Sequence, residues 1–194
     1  AGATVLSISA GHVLSTLAAA VGRPRSLSAV VACVNREATV IETGETVKVT
    51  SPDQVLLAGQ LESDAAFSVA VQGGAAPSGP GFEIRIVGTE ATLTVRPASP
   101  GGIHITDWAV SISPVEGAAE DLAVPDRLVP VPASVPAGPP RNVAILYRLL
   151  AQAIREGRPV RPSFADAVEH HQLLDTIQRA SETGQAQTID REFR

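Results

Sequence analysis

Cysteine, methionine, lysine and aromatic residues are nearly missing from this chain, and each shortage closes off a kind of function. A single cysteine, Cys33, leaves no internal disulfide and no zinc site built on cysteines. It lies in an apolar run and reads as a buried, inert thiol, which fits a reducing cytoplasm. Lys48 is the only lysine, arginines are spread thinly and the net charge is −5, so no basic cluster is available for a nucleic-acid backbone. With aromatics at 3%, there is no stacking platform for single strands either. No apolar run approaches the ~18–20 residues of a membrane span, and no charged-then-apolar leader stands at the start. Methionine is absent where 194 residues would usually carry a few, and the chain opens directly on an apolar pattern, Ala3 to Ile8. A native start further upstream is the expectation. The abundance of Ala, Gly, Pro and Arg also fits a GC-rich coding sequence, and the two explanations are compatible.

What is present is enough for a core. Hydrophobic residues make up 44% of the chain, and its length is that of one mixed domain spanning residues 1–194. Val5 to Ile8 reads as a short strand or a helix lead-in. Val13, Leu14, Leu17, Ala18 and Val21 form a helical stripe that Gly22 ends. LSAVVACV, from Leu27 to Val34, is apolar in both phases, as in a strand buried on both sides. Further strands are expected at Glu45 to Thr50, Gln54 to Leu61, Ala65 to Gln72, Phe82 to Val87, Ala91 to Arg96 and Ile103 to Ser111, with turn residues between them. The short connections favour antiparallel neighbours.

Pro97 to Arg141 holds nine of the fifteen prolines and reads as an irregular surface excursion, with a lid or an oligomer arm as the other reading. Asn142 is expected to cap a second helix that buries Val143, Leu146, Tyr147, Leu150, Ala153 and Ile154 and ends at Gly157. Beyond Pro162, Ser163 and Asp166 make a variant capping box for a third helix. Its expected buried face is Phe164, Ala167, Val168, His171, Leu174 and Ile177, and Gly184 is placed to end it. The fold class is α+β: a large open, mostly antiparallel sheet, mixed if the first and last strands join it, with helices packed on one face. The strands from Val55 and Ala65 are apolar or small in both phases. The uncovered sheet face is therefore expected to self-associate into a homo-oligomer, most simply a dimer.

Three segments in succession carry a resemblance. TVLSISAGHVLSTLAAAVGRPRSLSAVV, residues 4–31, has a short strand, a small residue, a histidine, a helix ending in Gly and a buried strand. FEIRIVGTEATLTV, residues 82–95, has paired strands around a Gly turn. NVAILYRLLAQAIREGRPV, from Asn142, leads into the capped third helix. Together they resemble the C-terminal domain of the glucose–fructose oxidoreductase / inositol dehydrogenase / MocA family. The resemblance implies a dihydrodipicolinate-reductase-like C-terminal fold that follows an N-terminal Rossmann domain for NAD or NADP. That first half is missing here. No GxGxxG joins a strand to a helix, since Gly79 and Gly81 are followed by Ile84 and precede a strand, so a turn is the expectation there. The family's Glu-Lys-Pro lysine is missing too, because Lys48 lies in TVKVT. No cofactor-binding residue and no metal ligand set is expected in this chain.

The family places an Asp, and a His four residues later, near the reacting carbon. By this resemblance His12 is the candidate catalytic residue, a general base for a substrate hydroxyl. The acid's position falls on Ile8, and a further acidic position falls on Ser15, a candidate for substrate binding. A structural helix-start role for His12 stays open beside the catalytic one. His104, alternating with Thr106 and Trp108, is a second substrate-binding candidate or a satisfied sheet histidine. His171 is expected in the core and His170 in solvent, and Asp166, Glu169 and Asp175 read as capping or solvent-facing charges. Three functions follow as expectations. One is the substrate-side domain of an NAD(P)-dependent cytoplasmic oxidoreductase acting on a sugar, polyol or related hydroxylated molecule, inactive and cofactor-free by itself. Another, favoured by the loss of the acid at Ile8, is a non-catalytic dinucleotide-sensing regulator, similar to the family's fungal galactose-pathway repressor branch, which binds a protein partner. The third is a dimerisation module with no ligand.

Overall fold

The computed structural model describes residues 3–74 and 81–189, which fall into two compact units. The first unit combines residues 3–74 with 164–189, and the second holds residues 81–163. After a π-helical turn at Leu6–Ala10 come α1 (Gly11–Val21), β1 (Pro24–Ala32), β2 (Glu37–Thr39), β3 (Thr46–Lys48), β4 (Gln54–Leu61) and β5 (Ala66–Gln72). The second unit has β6 (Ile84–Val87), β7 (Ala91–Pro97), β8 (Trp108–Pro114), β9 (Glu120–Leu122) and α2 (Pro139–Glu156). The chain then returns to the first unit with α3 (Phe164–Thr183) and β10 (Gln187–Thr188).

The fold is α+β, and the described residues form open antiparallel sheets and three α-helices. One sheet runs β10-β1-β4-β5, another runs β6-β7-β8-β9, and β2 and β3 form a hairpin. Every ladder among the described residues is antiparallel, because each connection within a sheet is short or returns through α3. Val5 to Ile8 is the helix lead-in rather than a strand. The turn expected at Gly79 lies outside the described residues.

The core of the first unit shows why its elements lie where they do. Leu27, Val55 and Leu57 point inward from β1 and β4, against Leu6, Ala10 and Leu14 and against Leu173, Leu174, Ile177 and Ala180 of α3. The alternation is strict: Ser28 and Val30 of β1, and Leu56 and Ala58 of β4, are exposed on the far side. So the LSAVVACV strand is buried on one face only, not on both, because α3 covers just that face. Above the end of β10, Ser181 on α3 replaces a missing strand partner: its Oγ accepts the Val31 N–H at 2.8 Å. Asp53 ties the end of β1 to β4. Its carboxylate accepts the backbone N–H groups of Val34 and Asn35, each at 2.8 Å, and the Asn35 side-chain amide at 2.7 Å. These donors favour the anion and hold the Asp53 pKa below its ordinary value, the Val34 and Asn35 N–H groups contributing most.

Both later helices differ from expectation in which residues they bury. α2 starts at Pro139, and Asn142 lies inside its first turn, with its backbone N–H donating to Gly138 O. Proline at the first position needs no N–H partner, so the helix starts without the Asn cap. Gly157 ends it with φ +63°, as expected. Of its expected buried face only Ala153 is buried; Val143, Leu146, Tyr147, Leu150 and Ile154 are exposed. α3 starts at Phe164, directly after Ser163, but only its second half lies over the sheet. Leu173, Leu174, Thr176, Ile177 and Ala180 are buried, whereas Phe164, Val168 and His171 are exposed. Gly184 follows it with φ +64°.

The proline-rich stretch is more ordered than its composition suggests. Pro97 and Pro114 are the last residues of β7 and β8, where a missing N–H does not interrupt the ladder. The strand expected from Ile103 begins only at Trp108. Residues 99–106 instead form a pinned turn: Ser99 Oγ and Thr106 Oγ1 lie 2.9 Å apart, and Trp108 Nε1 donates to Ile103 O at 3.0 Å.

Candidate functional site

The residues of interest gather at the start of α1. Thr4 and Ser7 cap this segment reciprocally, the Ser7 N–H donating to Thr4 Oγ1 at 3.1 Å and the Thr4 N–H to Ser7 Oγ at 2.9 Å. The turn then widens: the Ala10 N–H reaches back to Val5 O at 2.8 Å, a π-type bond. Such single π turns inside helices are frequent at functional sites. Leu6, Ala10, Gly11 and Leu14 are buried against the sheet and α3. Ile8, His12 and Ser15 are exposed on the opposite side, one helical turn apart from one another. The structure thus brings the candidate histidine, the apolar residue at the acid's position and the candidate Ser15 onto one open face.

His104 belongs to the other unit. It lies in the turn before β8 rather than on a strand, exposed and folded over Gly102, where a methyl group would come 3.3 Å from its Cε1. Cys33 is half-buried, its thiol donating to Val49 O at 3.4 Å, so it is partly solvated rather than sealed in the core. Among the described residues, no three His, Cys, Asp or Glu side chains come together as metal ligands, and no helix is long and apolar enough to cross a membrane. Nor do they contain a strand–glycine turn–helix unit of the kind that cradles a pyrophosphate.

The positions of the adjacent histidines on α3 are the reverse of expectation. His171 is exposed and His170 is half-buried, its Nε2 only 3.5 Å from where a methyl at Gly11 would stand. The helix rotates so that position 170, not 171, faces α1. Desolvation pushes the His170 pKa below its ordinary value, His171 and His12 push the same way, and a hydrogen bond with the Gly11 backbone opposes them. Glu169, expected in solvent, pairs with Arg23 at the junction of α1 and β1. Periodicity along one helix gave no sign of either contact. The available signal was Gly11 itself, a glycine at the start of α1 that lies against the His170 ring.

The fold is that of the C-terminal domains of two-domain NAD-type oxidoreductases and their repressor relatives. Residues 1–97 match the family described as Gal80p, C-terminal domain, and the chain belongs to that family. Among solved structures, a super-repressor mutant of Gal80p from Saccharomyces cerevisiae superposes with TM-score 0.80 at 17% identity, over 97% of this chain and 50% of that one. The transcriptional regulator Gal80p from Kluyveromyces lactis gives 0.77 at 20% identity, over 97% and 48%. Levoglucosan dehydrogenase in complex with NADH and L-sorbose gives 0.76 at 20% identity, over 98% and 52%. The chain therefore spans about half the length of these relatives. No curated protein matches it in sequence.

Proposed function

We propose that residues 1–194 act as the single C-terminal, substrate-side domain of an NAD(P)-linked cytoplasmic oxidoreductase that takes a sugar, polyol or related hydroxylated molecule. The observation that carries this reading is the exposed His12 face at a π turn, in a fold shared with a dehydrogenase solved with NADH and L-sorbose. Hydride chemistry belongs to a nicotinamide held by another half of the protein. The work left to this chain is proton transfer and orientation. A neutral His12 imidazole accepts the proton of the reacting hydroxyl, the Ser15 hydroxyl offers a hydrogen bond to the same molecule, and His104 is a further contact for it. The uncharged outer rows of the first sheet, Ser28 with Ala58 and Ser68, and Val30 with Leu56 and Ala70, form a flat patch suited to a homodimer.

Ile8 favours a second reading. An apolar side chain one turn before His12 cannot orient the imidazole or raise its basicity, so the domain would sense a dinucleotide-linked state and pass it to a protein partner. Assays separate the two. Calorimetry of this chain with NAD or NADP is expected to give no binding heat, and tight binding would overturn the assignment of the cofactor to another half. In the protein carrying that half, cofactor reduction with a panel of sugars and polyols is expected to fall by about 10²–10⁴-fold in His12→Ala. Cofactor binding without turnover would instead establish the regulator. Sedimentation of the chain should show a dimer, and a clean monomer would contradict the sheet-face association.

A further inference from the structure

The half-buried imidazole of His170 has no part in the chemistry assigned above, yet it stands behind the turn that presents His12. Gly11 immediately precedes His12 and is buried, and a methyl there would meet His170 Nε2 at 3.5 Å. The two rings belong to different elements, 158 positions apart (170 − 12), so only the packing of α3 against α1 joins them. The charged and titratable groups around His170 are few. From α1 comes His12, and Arg23 beyond its end is paired with Glu169. Its own helix adds Asp166, Glu169 and His171, whose ring centroid lies 6.5 Å away in a T-shaped arrangement. Of the strands packed on α3, β10 brings no titratable side chain and β1 brings only Arg25, which pairs with Asp64.

We propose that His170 is a positioning residue for His12: its ring, packed against Gly11, seats the first turn of α1 behind the exposed imidazole that takes the proton. The proposal rests on the reading of His12 as proton acceptor. Burial and the two neighbouring imidazoles both oppose a charge on His170. The hydrogen bond with the Gly11 backbone ties the His170 ring to the turn that presents His12.

The test needs no substrate, so its failure is separable from failure of the functional reading. Histidine ring resonances of this chain are followed by NMR from neutral to acid pH. His170 is expected to titrate below the ordinary histidine range, and its midpoint is expected to rise in His12→Gln, where one like charge is gone. His12 is exposed, so that variant keeps the fold. The backbone amides of Gly11 and His12 should shift and exchange faster in His170→Ala, recover towards the parent in His170→Gln, and stay unchanged in His171→Gln. If His170→Ala does not fold, the amide comparison is made between His170→Gln and His171→Gln, and Gly11 and His12 amides that no His170 variant moves would also overturn the proposal. A His170 midpoint at the ordinary value, or one that His12→Gln leaves in place, would overturn the proposal.

Discussion

If this chain works beside a dinucleotide-binding half as proposed, Ile8→Asp is expected to raise turnover of a hydroxylated substrate by roughly tenfold or more, because an opposite charge beside an ionisable group shifts its pKa by ~1–3 units. Ile8 lies one turn before His12 on the same exposed face and is 49% accessible, so a carboxylate placed there stays solvated and costs the fold little. It would sit beside the imidazole, accept a ring N–H and fix the tautomer that leaves the other nitrogen free for the substrate hydroxyl. The sign of its effect on basicity is settled by charge. A carboxylate favours the imidazolium, so the His12 pKa rises and the ring becomes a stronger acceptor. Two measurements check this: the NMR midpoint of His12, which should move up, and the initial rate of cofactor reduction. A raised midpoint with no gain in rate would show that the missing acid is not what limits the chemistry, and would strengthen the regulatory reading. An unmoved midpoint would mean that the two side chains do not meet.

That experiment turns on residues found from a resemblance, and the structure shows how far local pattern reaches. Signals that depend on a few adjacent residues proved legible: the end of α2 at Gly157 and the end of α3 at Gly184. What the pattern does not encode is where along an apolar stripe the partner lies. Phe164 and Val168 share a helical face with Leu174 and Ile177, yet they are exposed because the sheet supports only the later half of α3. α2 carries a strong stripe and buries little of it for a similar reason: amphipathicity says that a face seeks cover, not that it finds it. The candidate site divides in the same way. His12 was marked by its motif, while Thr4 and Ser7, whose reciprocal bonds set up the π turn, look like ordinary polar residues until the turn is seen. His170 and Gly11 meet only through packing, and no spacing in the sequence announces it.

Among substitutions outside the site, Gly59→Ala is expected to damage the protein most. β1 and β4 pair Leu27 with Gly59, beside a register shift between Pro24 and Ser26. A methyl at Gly59 would lie 2.0 Å from Ser26 O, 2.8 Å from Leu27 Cα and 2.9 Å from the Ser26 carbonyl carbon. All three are backbone atoms, so no side-chain rotation relieves the clash and the strands themselves must part. Leu27 is only 1% exposed and belongs to the cluster that holds α3, so a displaced β1 would also loosen the packing on Ile177. The expected loss is roughly 3 kcal/mol or more, the upper end for overpacking, a large share of the ~5–15 kcal/mol of a typical domain. Gly184→Ala is the informative comparison. Its φ of +64° strains a side chain, but nothing lies within 4 Å, so the expected loss is only about 1–2 kcal/mol. Urea unfolding of the two variants should therefore rank Gly59→Ala well below Gly184→Ala. The reverse order would mean that β1 and β4 do not approach as closely as this register requires, and with it would go the placement of Leu27 at the centre of the core that supports α1 and His12.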